Sequence, residues 1–167
     1  MKRLCAISCF ALLLVGDGCG GTNDAPADMT EGPADFAGAV GKLCTDARAD
    51  AWTLPIAKAS KNGSFDVTLL SSAASPPLIG DLTEWTVQVA DAQGAMVDGA
   101  TIDVKPFMPD HGHGTDAVAH VTAAGAPGQY AIQPLYLFMA GYWTVTLTIT
   151  SGAVTDTVVY SVCLTDK

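Results

Sequence analysis

The chain has 167 residues, which is one ordinary domain with some length to spare. Its formal net charge of −9 at pH 7 argues against nucleic acid and against anionic lipid as binding partners. Hydrophobic residues make up 49%, yet no stretch beyond the N-terminus is long and apolar enough to cross a bilayer as a helix.

Met1-Lys2-Arg3 is basic, and Leu4 to Val15 is almost wholly apolar. These are the n-region and h-region of a signal peptide, read here over residues 1–18. Leu14-Val15-Gly16-Asp17-Gly18-Cys19 resembles a bacterial lipoprotein box, although Gly16 and Asp17 depart from its usual residues. Cleavage before Cys19 makes that cysteine the lipid-bearing N-terminus, on the periplasmic face of a membrane. The alternative is cleavage to a soluble secreted or periplasmic form. A multi-acyl anchor holds far more firmly than a single chain. Loss of residues 1–18 takes away Lys2, Arg3 and Asp17, moving the charge from −9 to −10.

Residues 19–41 are rich in Gly, Ala, Asp, Pro and Thr, a tether rather than a packed element. The packed domain is expected over residues 42–167. Lys42 to Ala59 is ambiguous: Trp52 and Leu54 are able to pack, and Pro55 discourages a long helix. Of the chain's five cysteines, Cys5 and Cys9 leave with the signal. With Cys19 lipidated, Cys44 and Cys163 remain as a pair, and an oxidising compartment favours a disulfide between them. The alternative is two unrelated buried thiols.

After Gly63 the texture changes to alternation. Phe65, Val67 and Leu69 alternate with Asp66 and Thr68; Trp85, Val87 and Val89 alternate with Thr86 and Gln88. Ile102 and Val104 follow the same rule, and Trp143, Val145, Leu147 and Ile149 run against Thr144, Thr146, Thr148 and Thr150. A period of two with β-branched residues and one polar face marks half-buried strands. Further strands fit Ala117–Ala123, Tyr130–Phe138 and Val154–Leu164, and turn residues punctuate them at 91–94, 124–128 and 151–152. No helical period competes. The pattern predicts an all-β domain, an immunoglobulin-like antiparallel β-sandwich of about seven strands. Gly128-Gln129-Tyr130, opening a strand after a turn, resembles a tyrosine corner. Because successive connections alternate between the two ends, loops 72–83 and 108–116 and hairpin 138–141 are expected together at one end. Loops 92–100, 124–128 and 151–153 are expected at the other.

The segment with most chemical content is Met108-Pro109-Asp110-His111-Gly112-His113-Gly114. Imidazole and thioether together suit copper, with methionine favouring the cuprous state. Met139 is a second thioether expected at the same end. The candidate metal site is therefore Met108, His111, His113 and Met139, with copper as the cofactor. The plainer reading is a tight turn whose imidazoles bond backbone groups, with Met108 in the core and Met139 filling a gap at the sandwich end. His120, mid-strand, reads as structural or surface, and Asp110 as solvated or bonded within its loop. Catalytic motifs are missing: there is no Gly-x-Ser-x-Gly elbow, no His-Glu-x-x-His and no phosphate-binding glycine loop with its lysine. The chain is read as non-enzymatic, with no catalytic residues.

From Pro77 to Thr148 the sequence is similar to the YtkA-like domain, a group of small extracytoplasmic bacterial modules related in style to FixH-type proteins. The resemblance rests on Gly80-Asp81-Leu82 before Trp85-Thr86-Val87, on Val97-Asp98-Gly99-Ala100, on Met108 to Gly114, on Gly128-Gln129-Tyr130 and on Met139 to Val145. It implies a β-sandwich in the cell envelope. Some related domains occur in settings of copper handling and cytochrome oxidase assembly, which points to the same four residues. The sequence lacks further Met/His repeats, so one copper site at most is expected. The competing expectation is a structural or protein-interaction domain without metal.

Overall fold

The computed structural model describes residues 40–166. The signal peptide, Cys19 and residues 19–39 of the tether lie outside the described residues.

Alternating apolar residues cannot bury one side of a strand without a facing layer, and two facing sheets meet that demand here. The strands are β1 (Lys42–Leu43), β2 (Ile56–Ala59), β3 (Phe65–Ser72), β4 (Leu82–Asp91), β5 (Thr101–Met108), β6 (His113–Gly114), β7 (His120–Ala123), β8 (Gln129–Tyr136), β9 (Gly141–Ser151) and β10 (Val154–Thr165). One sheet has the order β1-β10-β9-β5-β6 and the other β2-β3-β4-β8-β7. Every pairing is antiparallel. This is the expected antiparallel β-sandwich. The seven predicted strands all form, and the three additions, β1, β2 and β6, have only two to four residues each. Such short pairings carry too few alternations for a period to register.

The predicted inward rows are the core. Phe65, Val67 and Leu69 face Trp85, Val87 and Val89 within one layer, and Trp143, Val145, Leu147 and Ile149 are fully buried in the other. Trp52 and Leu54, in the segment of ambiguous pattern, pack against this core. Around them, residues 44–50 form a strap along the free edge of β10. Cys44 donates its N–H to the Cys163 carbonyl at 3.0 Å, and Asp50 N–H reaches the Ser161 carbonyl at 3.1 Å. The Asp50 carboxylate accepts from Ser161 N–H at 2.7 Å and pairs with Lys58 at 2.6 Å. Cys44 and Cys163 form the expected disulfide, with Cα atoms 5.1 Å apart and a separation of 119 positions in sequence. Just before β1, Gly41 N–H donates to the Pro76 carbonyl at 2.9 Å.

The two ends are populated as the alternation of connections requires. Gly80 N–H bonds the Leu137 carbonyl at 3.0 Å, and the His113 ring stacks on Phe138, bringing loops 72–83, 108–116 and 138–141 together. At the opposite end Gly128 N–H donates to Asp98 at 2.7 Å. The extra strands do not disturb this parity: β1 and β2 precede the counted strands, and β6 is a short return within one loop.

Two side chains do work that the sequence pattern did not assign. The Tyr130 hydroxyl donates to the Val97 carbonyl at 2.6 Å and accepts from Ala100 N–H at 2.9 Å. It is therefore not a tyrosine corner, whose hydroxyl bonds backbone a few residues upstream. It bridges instead to the β4–β5 crossover, because Tyr130 points inward between the sheets. Asp156, a charged residue in the same inward row of β10 as Val158 and Tyr160, is 2% exposed. It accepts from Ser60 Oγ at 2.7 Å, from Asn62 N–H at 2.9 Å, from Ser64 N–H at 3.2 Å and from Thr157 N–H at 2.8 Å. The carboxylate thus ties the β2–β3 turn of one sheet to β10 of the other.

Burial works to raise the Asp156 pKa, but these donors outweigh it and hold the carboxyl well below its ordinary range. A depressed folded-state pKa contributes stability above the unfolded value of about 3.9, and this is lost as pH falls toward the folded one. Thermal melts from pH 7 to pH 2 are expected to show the wild type losing stability mainly below about pH 4. Asp156→Asn should be less stable at neutral pH and show a smaller loss over that acid range. Reducing the disulfide should lower unfolding free energy by at most about 5 kcal/mol, the chain-entropy limit for so long a loop, as read by urea denaturation.

Candidate metal site at the histidine hairpin

The histidine segment is a hairpin, not an open loop. The Met108 carbonyl accepts from His111 N–H at 3.2 Å and from Gly112 N–H at 2.8 Å, and the chain returns so that Met108 pairs with His113 and Phe107 with Gly114. Gly112 has φ +71°, a left-handed conformation that closes the turn and that glycine adopts without strain.

Directly opposed residues of an antiparallel pair project to the same face. Met108 is wholly buried, so His113 also lies on the core side, at the rim where the sheets part. Its ring stacks on Phe138 with centroids 5.5 Å apart and meets Trp143 edge-on at 6.4 Å. His111, exposed in the turn, places its ring 5.6 Å from that of His113. The His113 Nδ1 lies 3.1 Å from the Gly114 carbonyl. A carbonyl only accepts, so Nδ1 carries the proton, and in the neutral ring Nε2 keeps its lone pair. An open cavity of about 450 Å³ borders His113, lined also by Phe107, Gly112 and Val118.

The two methionines fare differently. Met108 continues the inward row of β5, and its terminal methyl rests on the backbone of Gly141, where a Cβ atom would stand only 2.8 Å from it. The thioether expected as a ligand is therefore enclosed in the core, on the same face of the ladder as its partner His113. Met139 is half-buried at the edge of the core, in a turn held by Trp143 Nε1 donating to the Met139 carbonyl at 2.9 Å. His120 starts β7, exposed and opposite Gln133, apart from the hairpin. Among the described residues no group of three or more His, Cys, Asp or Glu is placed to hold a metal ion. A site here rests on two imidazoles and, at most, thioether sulfur.

Sequence reasoning missed Arg48. Its guanidinium binds Asp110, in the turn, through Nη1–Oδ1 and Nη2–Oδ2, both 2.7 Å. It also binds Asp46 through Nε at 3.0 Å and Nη2 at 2.7 Å, and lies 4.2 Å over the Tyr142 ring. Hydrogen bonds from Arg48 hold Asp46 down to about 2 and keep Asp110 below its ordinary range, while the two carboxylates raise the guanidinium. Nothing local marks Arg48, which is 62 positions from Asp110 in a segment without period.

A family model, YtkA-like, matches residues 59–148, more than half of the chain. The chain belongs to the YtkA-like family. The match begins earlier than the resemblance from Pro77 to Thr148 and takes in the whole of β3. In this YtkA-like chain the histidine hairpin, Phe138, Met139 and Trp143 fall inside the matched region, whereas the strap and β10 fall outside it. No curated protein and no solved structure matches the chain. The family and the disulfide-bonded cysteine pair both accord with an extracytoplasmic location.

Met108→Ala is expected to cost about 2–5 kcal/mol of stability, as a core truncation does, whereas Met108→Leu should cost under about 1.5 kcal/mol. Chemical denaturation of the two variants checks this.

Proposed function

We propose that this YtkA-like chain is a non-enzymatic module of the cell envelope, attached to the membrane through lipidated Cys19, that binds one copper ion at its histidine hairpin. The observation that carries the reading is the pair of neighbouring imidazoles, one exposed and one with Nε2 left free by its Nδ1–carbonyl bond. A backbone bond to the other ring nitrogen is the usual way that a ligating histidine is oriented. His111 and His113 are the nitrogen donors and Met139 the thioether donor, a small soft set that suits Cu(I). Met108 supports the hairpin from the core. Bound copper supplies redox or transfer chemistry; the protein's part is to hold it in a half-apolar setting beside Phe138 and Trp143. The setting is one of copper handling or oxidase assembly.

A second reading is a structural or protein-interaction domain without metal. It is favoured by the packing of His113 between Phe138 and Trp143, which accounts for the ring without any ligand.

Titration of the purified, disulfide-oxidised protein with Cu(I) and Cu(II) against competing chelators separates the two. One equivalent is expected to bind, weakened more than about tenfold by His111→Ala or His113→Ala. Met139→Leu should weaken Cu(I) more than Cu(II), and Met108→Leu should leave both unchanged. Equal binding by wild type and the His111→Ala/His113→Ala double variant would reject the copper reading in favour of the second.

A further inference from the structure

We infer that Arg48 is a positioning residue that fixes the histidine hairpin to the disulfide-anchored strap, a device carried by the part of the chain outside the family region. An isolated exposed ion pair contributes little, because solvent screens it and two long side chains must be ordered to make it. Arg48 escapes that limit through geometry. Its planar fork holds Asp110 in a bidentate pair and Asp46 on the adjoining edge, and its face lies on Tyr142. Its backbone is fixed as well: the Arg48 carbonyl accepts from Ser161 Oγ at 3.1 Å and Tyr142 Oη at 3.3 Å. The strap carrying it is covalently bound to β10 through Cys44–Cys163.

Among the described residues the hairpin's own backbone bonds are few: Met108 O accepts at its tip, and two residue pairs, Phe107–Gly114 and Met108–His113, close its base. Asp110 immediately precedes His111. Clamping that carboxylate restricts the turn from which the His111 ring projects toward His113. Arg48 lies across the outer surface of the sheet, from the β10 edge over Tyr142 at the start of β9 to the β5–β6 turn.

For its metal arm the inference rests on the copper reading, and there the sign of the effect is diagnostic. By charge alone, a guanidinium beside the site repels a cation, and its removal would also release two carboxylates. Arg48→Gln would then bind copper more tightly. A positioning role predicts the opposite, binding weaker by about tenfold, the scale of losses from disturbing groups behind metal ligands.

The test compares wild type, Arg48→Gln, Arg48→Lys, Asp110→Asn and the Arg48→Gln/Asp110→Asn double variant, all as the disulfide-bonded protein. Hydrogen exchange at the amides of His111 and Gly112 is expected to quicken in each single variant, with β9 amides at Val145 and Leu147 unchanged. Copper affinity should fall in each, Arg48→Lys failing to rescue because an ammonium cannot reproduce the fork. The double variant should lose no more than either single one. Unchanged exchange at His111 and Gly112, or tighter copper binding by Arg48→Gln, would overturn the inference. If wild type binds no copper, the function proposed above fails, and the exchange comparison alone decides the role of Arg48.

Discussion

Trp143, Val145, Leu147 and Ile149 leave water together along β9, the strand that pairs with β10 on one side and β5 on the other. Each such side chain contributes roughly 1.5–3 kcal/mol when fully buried. A slip of one residue would turn the whole row to solvent and bring the threonines inside, so the register of β9 admits no alternative. With β9 set, Trp143 is set, and with Trp143 the end of the molecule that carries the histidines. Its indole N–H holds the Met139 turn, and its ring meets those of Phe138 and His113.

The hairpin therefore has two kinds of support. From below, Met108 anchors it in the core, and its ladder partner His113 closes the rim of the sandwich with an aromatic face. From the side, Asp110 is tied to a strap that belongs to the opposite edge of the same sheet. His111 stays exposed in the turn, its ring beside that of the half-buried His113. Held from two sides, the turn keeps its two imidazoles beside each other.

Much of the sandwich was legible because burial with a period of two leaves its mark on every residue of a long strand. The rows of β3, β4 and β9 were read directly, and the grouping of loops at the two ends followed from counting connections. The two-residue pairings of β1 and β6 left no such mark. The site was legible in part. His111 and His113 stand out by type and spacing, whereas Met108 reads equally as ligand and as core from sequence, and the structure adds that it is wholly buried. Arg48, Asp156 and Tyr130 each act on groups some 30 to more than 90 residues away, and such distances have no local signature.

What the sequence by itself determined is what depends on each residue and its near neighbours: a β-sandwich, its inward faces, a cysteine pair left over for a disulfide, and a turn bearing two imidazoles. Tertiary structure decided the rest. It turned one methionine inward and left the other at the rim, chose which ring nitrogen of His113 is free, and brought Arg48 to Asp110. The physical reason is that alternation is a local rule enforced by water at every strand residue, whereas partners between strands are chosen only when two sheets with their own registers come to rest against each other.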